Sequence, residues 1–110
     1  MNKAVFVRAC PLAQVPADGA LGLEIDGEFV CLVRTGGEVF ALGDTCPHAE
    51  VALSEGEVYG HTVECWMHGS RFDVRTGKPT APPAIEPVPV YPVRVDGDDV
   101  YVDLSGGSGR

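Results

Sequence analysis

The sequence has few positive charges and no long apolar run, and each shortage excludes a class of function. Its 110 residues contain 8 Lys and Arg against 16 Asp and Glu, which gives a formal net charge of −8. The phosphates of nucleic acids require a basic surface, so we expect no nucleic acid partner. A membrane-spanning helix needs about 20 consecutive apolar residues, and the sequence holds no such run. We therefore expect no membrane contact.

The sequence holds four cysteines, and their placement favours metal binding over disulfide bonds. Two positive charges interrupt the apolar N-terminal stretch, so we expect no secretory signal and a cytoplasmic location, where thiols stay reduced. Cys10 and Cys31 lie in ordinary contexts, and Cys31 within "FVCLV" is predicted to be a buried free thiol. Cys46 and Cys65, in contrast, each have a histidine close by. This asymmetry indicates a metal site plus two unrelated thiols.

No long helical period is present, and the sequence predicts an all-β protein. The clearest turn is Asp26-Gly27, a strong hairpin signal between "LGLEI" and "EFVCLVR". A second hairpin is predicted around "DGDD", between "VPVYPVRV" and "VYVDL", where the prolines suit an edge strand. Residues 4–9 and "EVFAL" are two further predicted strands. Short strands at this spacing indicate a small β-sandwich or barrel.

The segment from residue 44 to about 77 does not continue the hairpin pattern. It is predicted to be an insertion with short strands of its own, such as "HTVEC". We expect a single domain over residues 1–104, in which about 1–43 and 78–104 form the base. The last residues, 105–110, read "SGGSGR" and are predicted to be a disordered tail.

The insertion contains two cysteine–histidine pairs, Cys46 with His48 and Cys65 with His68, and sixteen residues separate the pairs. Two side chains at either spacing can reach one site from a single loop, so a mononuclear zinc site is one interpretation. Zinc fingers, however, separate their cysteines from their histidines. A two-iron cluster accounts for the mixed pairs, because both thiolates can bind one iron and both imidazoles the other. The third histidine, His61, has no cysteine at ligand spacing and is predicted to lie on a strand surface.

The two pairs and their surroundings resemble the signature of Rieske iron–sulfur proteins. The matching segments are "CPH" and "CWMHG", followed by "RFDVRTGKPTAPPA", which is similar to that family's Phe-containing strand, Thr-Gly turn and proline loop. The resemblance covers nearly the whole chain and implies a small Rieske-like β-sandwich or barrel with an inserted cluster-binding subdomain. It also implies one [2Fe–2S] cluster per chain, held by Cys46, His48, Cys65 and His68.

The resemblance implies further roles around the cluster. Trp66 and Met67 would cover it or form a docking face. Gly69 would allow the backbone to approach closely beside the second histidine. Pro82 would lie in the proline loop next to the cluster.

The Rieske proteins of cytochrome bc complexes differ from this chain in two respects. They carry a membrane anchor, which we do not expect here, and an extra cysteine in each ligand loop, where Met67 stands in the second loop. They share "HGS", in which the serine hydroxyl donates to a bridging sulfide. This implies the same role for Ser70, although its hydroxyl could instead point to solvent or cap the turn. A tyrosine that donates to a cysteine sulfur is replaced by Phe72.

The chain is similar to the Rieske-type ferredoxins of bacterial aromatic-ring-hydroxylating dioxygenases. That similarity implies a soluble, monomeric electron carrier, not an enzyme, between a flavin-containing NAD(P)H-dependent reductase and a terminal Rieske oxygenase. Replacing two thiolates by neutral imidazoles raises the reduction potential into a range of roughly −150 to +300 mV, and we expect the lower part. The alternatives are the small subunit of an NAD(P)H nitrite reductase and a structural zinc-binding interaction domain.

Overall fold

The computed structural model describes residues 6–44, 52–66, 69–81 and 87–106, and it confirms the all-β fold. The described residues form eleven strands and three 3-10 helices of three residues each. The strands are β1 (Phe6–Pro11), β2 (Gly19–Ile25), β3 (Glu28–Thr35), β4 (Glu38–Gly43), β5 (Glu57–Tyr59), β6 (Thr62–Glu64), β7 (Arg71–Asp73), β8 (Pro79–Ala81), β9 (Val90–Tyr91), β10 (Val93–Asp96) and β11 (Asp99–Asp103). The 3-10 helices are Leu12–Gln14, Leu53–Glu55 and Leu104–Gly106. Among these residues, no helix has the length and apolar character needed to cross a membrane.

The strands form three antiparallel sheets, and the middle sheet is buried on both faces. The strand orders are β1-β11-β10 in the first sheet, β2-β3-β4-β9 in the second and β5-β6-β7-β8 in the third. Along β3, Val30 and Leu32 pack in the core shared with the first sheet. Cys31 and Val33 face the opposite way, into the core shared with the third sheet. Because successive residues of a strand point to opposite faces, this double burial explains the continuous apolar run "VCLV" over residues 30–33.

The two predicted hairpins are present, and their turns have the expected chemistry. Asp26 and Gly27 join β2 to β3 with φ values of 50° and 84°, the positive φ pair of a type I′ turn. Gly97, with φ 63°, lies in the turn between β10 and β11. The segment "VPVYPVRV" differs from the single edge strand that we predicted. It forms the edge strands of two sheets, β9 and β10, which are separated by Pro92. Proline has no N–H to donate, so the ladder is interrupted there.

The predicted insertion contains the third sheet. Its strands span residues 57–81, so the sheet extends a few residues beyond the boundary expected near Gly77. At the other end of the chain, Ser105 donates to Asp103 Oδ1 from its backbone N at 3.0 Å and from its Oγ at 2.6 Å. Ser105 therefore belongs to the fold, and not to the tail predicted from residue 105. Residues 107–110 lie outside the described residues.

Candidate metal centre

Of the four predicted ligands, the structure describes Cys65. Five of the predicted site residues lie outside the described residues, namely Cys46, His48, Met67, His68 and Pro82. Cys65 directly follows β6, and its side chain is buried and free of any disulfide. It packs in the core beneath the third sheet with Val63, Phe72 and Val74. The thiol is therefore held in an apolar, ordered setting, while the complete ligand set stays a prediction.

Cys65 begins a closed turn that ends at Ser70. The N–H of Cys65 donates to the carbonyl of Ser70 at 2.6 Å, and the N–H of Gly69 donates to the carbonyl of Cys65 at 2.9 Å. Gly69 has a φ of 77°, which residues with a side chain rarely adopt. A Cβ at Gly69 would lie 3.7 Å from Oε2 of Glu64, which is an ordinary contact. The conformation of the turn therefore accounts for this glycine.

The three described residues around Cys65 differ sharply in exposure. Ser70 and Phe72 are both fully buried, which excludes the alternative in which the Ser70 hydroxyl points to solvent. The side chain of Trp66, next to Cys65 in the sequence, is 52% exposed. Its indole thus offers a large apolar surface beside the second ligand turn, whereas the serine and phenylalanine face inward.

The first ligand loop is closed at its base by Asp44, which follows β4 directly. Leu53 N–H donates to the backbone carbonyl of Asp44 at 2.8 Å. Ser54 donates to the Asp44 carboxylate twice, from its backbone N to Oδ1 at 2.7 Å and from its Oγ to Oδ2 at 2.8 Å. We call these three hydrogen bonds the Asp44 clasp. Residues 45–52, which include Cys46 and His48, begin and end at this clasp. The sequence alone predicts no role for Asp44, because its hydrogen-bond partner Ser54 cannot be identified from the spacing of the two residues.

The two cysteines outside the predicted ligand set are buried free thiols, as expected for Cys31. Burial and the nearby Asp44 carboxylate both raise the pKa of the Cys31 thiol, so it stays protonated and unreactive at neutral pH. Burial also raises the pKa of the Cys10 thiol. Neither cysteine has a histidine at ligand spacing, so neither belongs to the predicted ligand set.

The prediction for His61 was wrong. This histidine lies in the turn before β6, and its ring is half-buried edge-on against Phe40 of the second sheet. The two ring centroids are 5.9 Å apart, and the planes meet at 81°. The His61 carbonyl also accepts a hydrogen bond from the N–H of Val74 at 2.9 Å. His61 therefore joins the third sheet to the middle sheet.

Two exposed ion pairs occupy the arginines of the third sheet. Arg71 Nε lies 3.4 Å from Oε2 of Glu64, and Arg75 Nη2 lies 3.0 Å from Oδ2 of Asp73. The Arg71 guanidinium also lies 4.9 Å from the centre of the Tyr59 ring. Hydrogen bonds from Arg75 hold the pKa of the Asp73 carboxyl below its usual range. Ion pairs this exposed contribute little to stability. They do, however, hold both arginine side chains in contacts within the chain.

The donor set and its surroundings fit a [2Fe–2S] cluster. Each predicted ligand loop carries one cysteine and one histidine, the combination that would place His₂ on one iron and Cys₂ on the other. The described thiol, Cys65, is free and buried. The described residues at the base of each predicted loop are joined by hydrogen bonds, from Leu53 and Ser54 to Asp44 in the first and from Cys65 to Ser70 in the second.

Comparison with known proteins agrees with this fit. Residues 5–92 match the Rieske [2Fe–2S] domain family. The biphenyl dioxygenase ferredoxin subunit of Pseudomonas sp. strain KKS102 is 46% identical over 101 residues, which cover 91% of this chain and 93% of that protein. The solved ferredoxin of carbazole 1,9a-dioxygenase from Nocardioides aromaticivorans IC177 superposes with a TM-score of 0.84 at 40% identity, covering 89% of this chain and 96% of that one.

Two further solved structures bear on the partners and on the alternatives. The first is a complex of reduced oxygenase and oxidised ferredoxin in carbazole 1,9a-dioxygenase, with a TM-score of 0.83, 30% identity and coverage of 92% of this chain and 94% of that chain. The second is a putative NADH-dependent nitrite reductase small subunit from Mycobacterium tuberculosis, with a TM-score of 0.82. Its identity is lower, at 27%, with coverage of 92% of this chain and 96% of that chain.

Proposed function

Because this chain belongs to the Rieske [2Fe–2S] domain family, we propose that it is the ferredoxin component of a bacterial aromatic-ring-hydroxylating dioxygenase. The observation that carries this proposal is the end-to-end similarity, at 46% identity, to a protein named as a biphenyl dioxygenase ferredoxin subunit. The relatives are named as ferredoxin components and not as catalytic oxygenases. The similarity to a nitrite reductase subunit is weaker, and membership of an iron–sulfur family disfavours a structural zinc site.

Four side chains hold the cluster in this proposal, one cluster per chain. Cys46 and Cys65 bind one iron, and His48 and His68 bind the other. When bound, the cluster supplies a one-electron couple at a potential raised by its two neutral ligands. The chain contributes the thiolates and imidazoles, the apolar packing around Cys65, and the hydrogen bonds that fix both loops. Burial around a cluster and hydrogen bonds near its ligands tune the potential within the range open to this ligand set.

The proposed partners are an NAD(P)H-dependent flavoprotein reductase and a terminal Rieske oxygenase. The solved complex of an oxygenase with a ferredoxin of this fold supports the second partner. The chain would act as a cytoplasmic monomer that meets each partner in turn. Half-exposed Trp66, beside the second ligand turn, offers an apolar contact for either one.

Metal analysis and ligand substitution test the ligand set. We expect two irons and two acid-labile sulfides per chain, with visible bands that bleach on dithionite. Replacing any of the four ligands by Ala should abolish these bands, because one iron then loses one of its two protein ligands. His61→Ala is the matched control, since His61 packs against Phe40 outside the ligand set, and that variant should keep the cluster. A normal spectrum for His48→Ala would refute the assignment, and a colourless protein that contains zinc would refute the cluster itself.

Reconstitution tests the physiological role. The purified chain, mixed with an NADH-dependent flavoprotein reductase and a terminal aromatic-ring oxygenase, should support oxygenase turnover. Leaving the chain out should abolish turnover. Coupling to nitrite reduction with no transfer to an oxygenase would favour the nitrite reductase alternative.

A further inference from the structure

We propose that the Asp44 clasp positions the first ligand loop, and that Gly22 on β2 is a glycine because the clasp needs the space. This inference rests on the proposed function, in which Cys46 and His48 hold the cluster. Asp44 is then a positioning residue: it acts on the cluster through the loop that carries two of the ligands. Nothing in the ligand motif itself identifies it.

The first observation is that the backbone N–H, the backbone carbonyl and both carboxylate oxygens of Asp44 all form hydrogen bonds. Its N–H donates to the carbonyl of Phe29 at 3.0 Å, its carbonyl accepts from Leu53, and both carboxylate oxygens accept from Ser54. The residue is 8% exposed, so these bonds are largely shielded from water. Hydrogen bonds to a charged acceptor are stronger than neutral ones, which makes this a firm anchor for a short loop.

The second observation is the position of the clasp along the chain. Cys46 lies two residues after Asp44, and the loop returns to the clasp at Leu53. A shift of Asp44 relative to Ser54 therefore changes the direction in which the chain leaves β4 toward the first two ligands.

The third observation concerns Gly22, which pairs with Cys31 across the β2–β3 ladder. A Cβ built at Gly22 would be closest to Ser54 Oγ and would lie 2.7 Å from Asp44 Oδ2. Both atoms belong to the clasp, and a Cβ cannot approach an oxygen that closely. Because both are ends of side chains, a methyl group at Gly22 would displace them before it displaced the backbone. A substitution at Gly22 would thus disturb the clasp from β2, a strand that carries no predicted ligand.

A second buried aspartate provides a matched control for the chemistry. Asp103 Oδ1 accepts hydrogen bonds from the backbone N and the Oγ of Ser105, and Asp103 is 4% exposed. It therefore repeats the Asp–Ser arrangement of the clasp at the end of β11, a strand of the first sheet. If such a bond only stabilised the fold, disrupting either aspartate should have the same kind of effect.

The glycine experiment compares Gly22→Ala with Gly19→Ala. Gly19 lies on the same strand, and a Cβ there would be 2.9 Å from Cβ of Pro16, so both substitutions create a tight contact. We expect Gly22→Ala to change the electron paramagnetic resonance spectrum of the reduced protein and to speed cluster loss to a chelator by about tenfold, the lower end of the usual effect of an outer-shell change. Gly19→Ala should leave both readouts unchanged.

The aspartate experiment compares Asp44→Asn with Asp103→Asn. We expect Asp44→Asn to alter the reduction potential and the spectrum, and Asp103→Asn to lower only the midpoint of unfolding. If Asp44→Asn fails to fold, Ser54→Ala replaces it, because that variant removes one bond of the clasp and keeps the backbone N–H.

The iron content of the wild-type protein distinguishes failure of the proposed function from failure of the positioning role. If it holds no iron, the proposed function fails. If it holds two irons and both Gly22→Ala and Asp44→Asn match their controls in spectrum, potential and rate of cluster loss, the positioning role of the clasp fails alone.

Discussion

At the residue scale, the buried hydroxyl of Ser70 is the first candidate for tuning the cluster. Ser70 is fully buried, and its carbonyl closes the turn that begins at Cys65. A donor near the cluster stabilises the reduced state more than the oxidised state, because reduction adds negative charge to the acceptor. Hydrogen bonds to charged groups contribute about 1.5–3 kcal/mol, and only part of that differs between the two redox states.

We therefore expect Ser70→Ala to lower the reduction potential by about 50–100 mV, given that 1.4 kcal/mol corresponds to 59 mV for one electron. Voltammetry of the purified variant measures the shift, and Phe72→Tyr, which adds a hydroxyl in the same core, should move the potential upward. Ser105→Ala, in the C-terminal helix, is the control and should leave the potential unchanged. An unaltered potential for Ser70→Ala with an intact spectrum would show that its hydroxyl does not interact with the cluster.

At the element scale, glycine substitutions in two turns of the third sheet distinguish the stability cost of a strained turn from an effect on the cluster. Gly60 and Gly69 both have positive φ values, 57° and 77°. A Cβ at Gly60 meets nothing within 4 Å, and one at Gly69 makes an ordinary contact, so Ala at either position is opposed mainly by φ. We expect each substitution to lower the free energy of unfolding by about 1 kcal/mol.

The visible spectrum then distinguishes the two glycine variants. Gly69→Ala should weaken the cluster bands and speed iron loss, because Gly69 lies in the turn between Cys65 and Ser70. Gly60→Ala should leave the bands intact, because its turn joins β5 to β6. Denaturant unfolding and iron release measured on the same samples check both expectations. Equal iron loss in the two variants would contradict a specific role for the second ligand turn.

The elements that were predictable from the sequence are those that local chemistry determines. Asp26-Gly27 specifies its hairpin because both residues tolerate positive φ, and their partners lie within a few residues. The prolines indicate an edge strand, but the division of this segment at Pro92 depends on β4, which is distant in sequence and pairs with β9, whereas β10 pairs with the neighbouring β11. The burial of His61 depends on Phe40 in the same way.

The candidate site shows the same contrast. Features set by residues close together in the sequence were predictable, and features set by residues far apart in the sequence were not. The predicted ligand motif could be identified because two ligands from one loop require a short spacing, such as that between Cys65 and His68. The Asp44 clasp was missed because Ser54 alone looks like an ordinary loop serine and Gly22 like an ordinary strand glycine. Their shared role appears only when the fold brings β2, the end of β4 and the Leu53–Glu55 helix together.

At the scale of the whole molecule, the negative charge is not concentrated on the third sheet. Residues 57–81 contain three acidic residues and three basic residues, so the net charge of −8 arises in the rest of the chain. Two of these acids are paired with arginines. Asp44, at the start of the predicted insertion, is buried in the clasp. Attraction of a positively charged partner would therefore come from the field of the whole molecule, more than from charge on the third sheet itself.

That distribution leads to a prediction about electron transfer from the reductase. If the reductase presents a basic surface, the bimolecular rate should fall by about tenfold between low and physiological ionic strength, because salt screens the field that steers the encounter. Two double variants locate the origin of the effect. Asp18→Asn with Asp98→Asn removes two exposed charges from turns outside the third sheet, and Glu55→Gln with Glu57→Gln removes two exposed charges at the start of β5 and just before it. A whole-molecule field predicts that both pairs reduce the salt dependence to a similar extent. Stopped-flow reduction at several salt concentrations measures the slope, and a wild-type rate that does not change with ionic strength would refute electrostatic steering altogether.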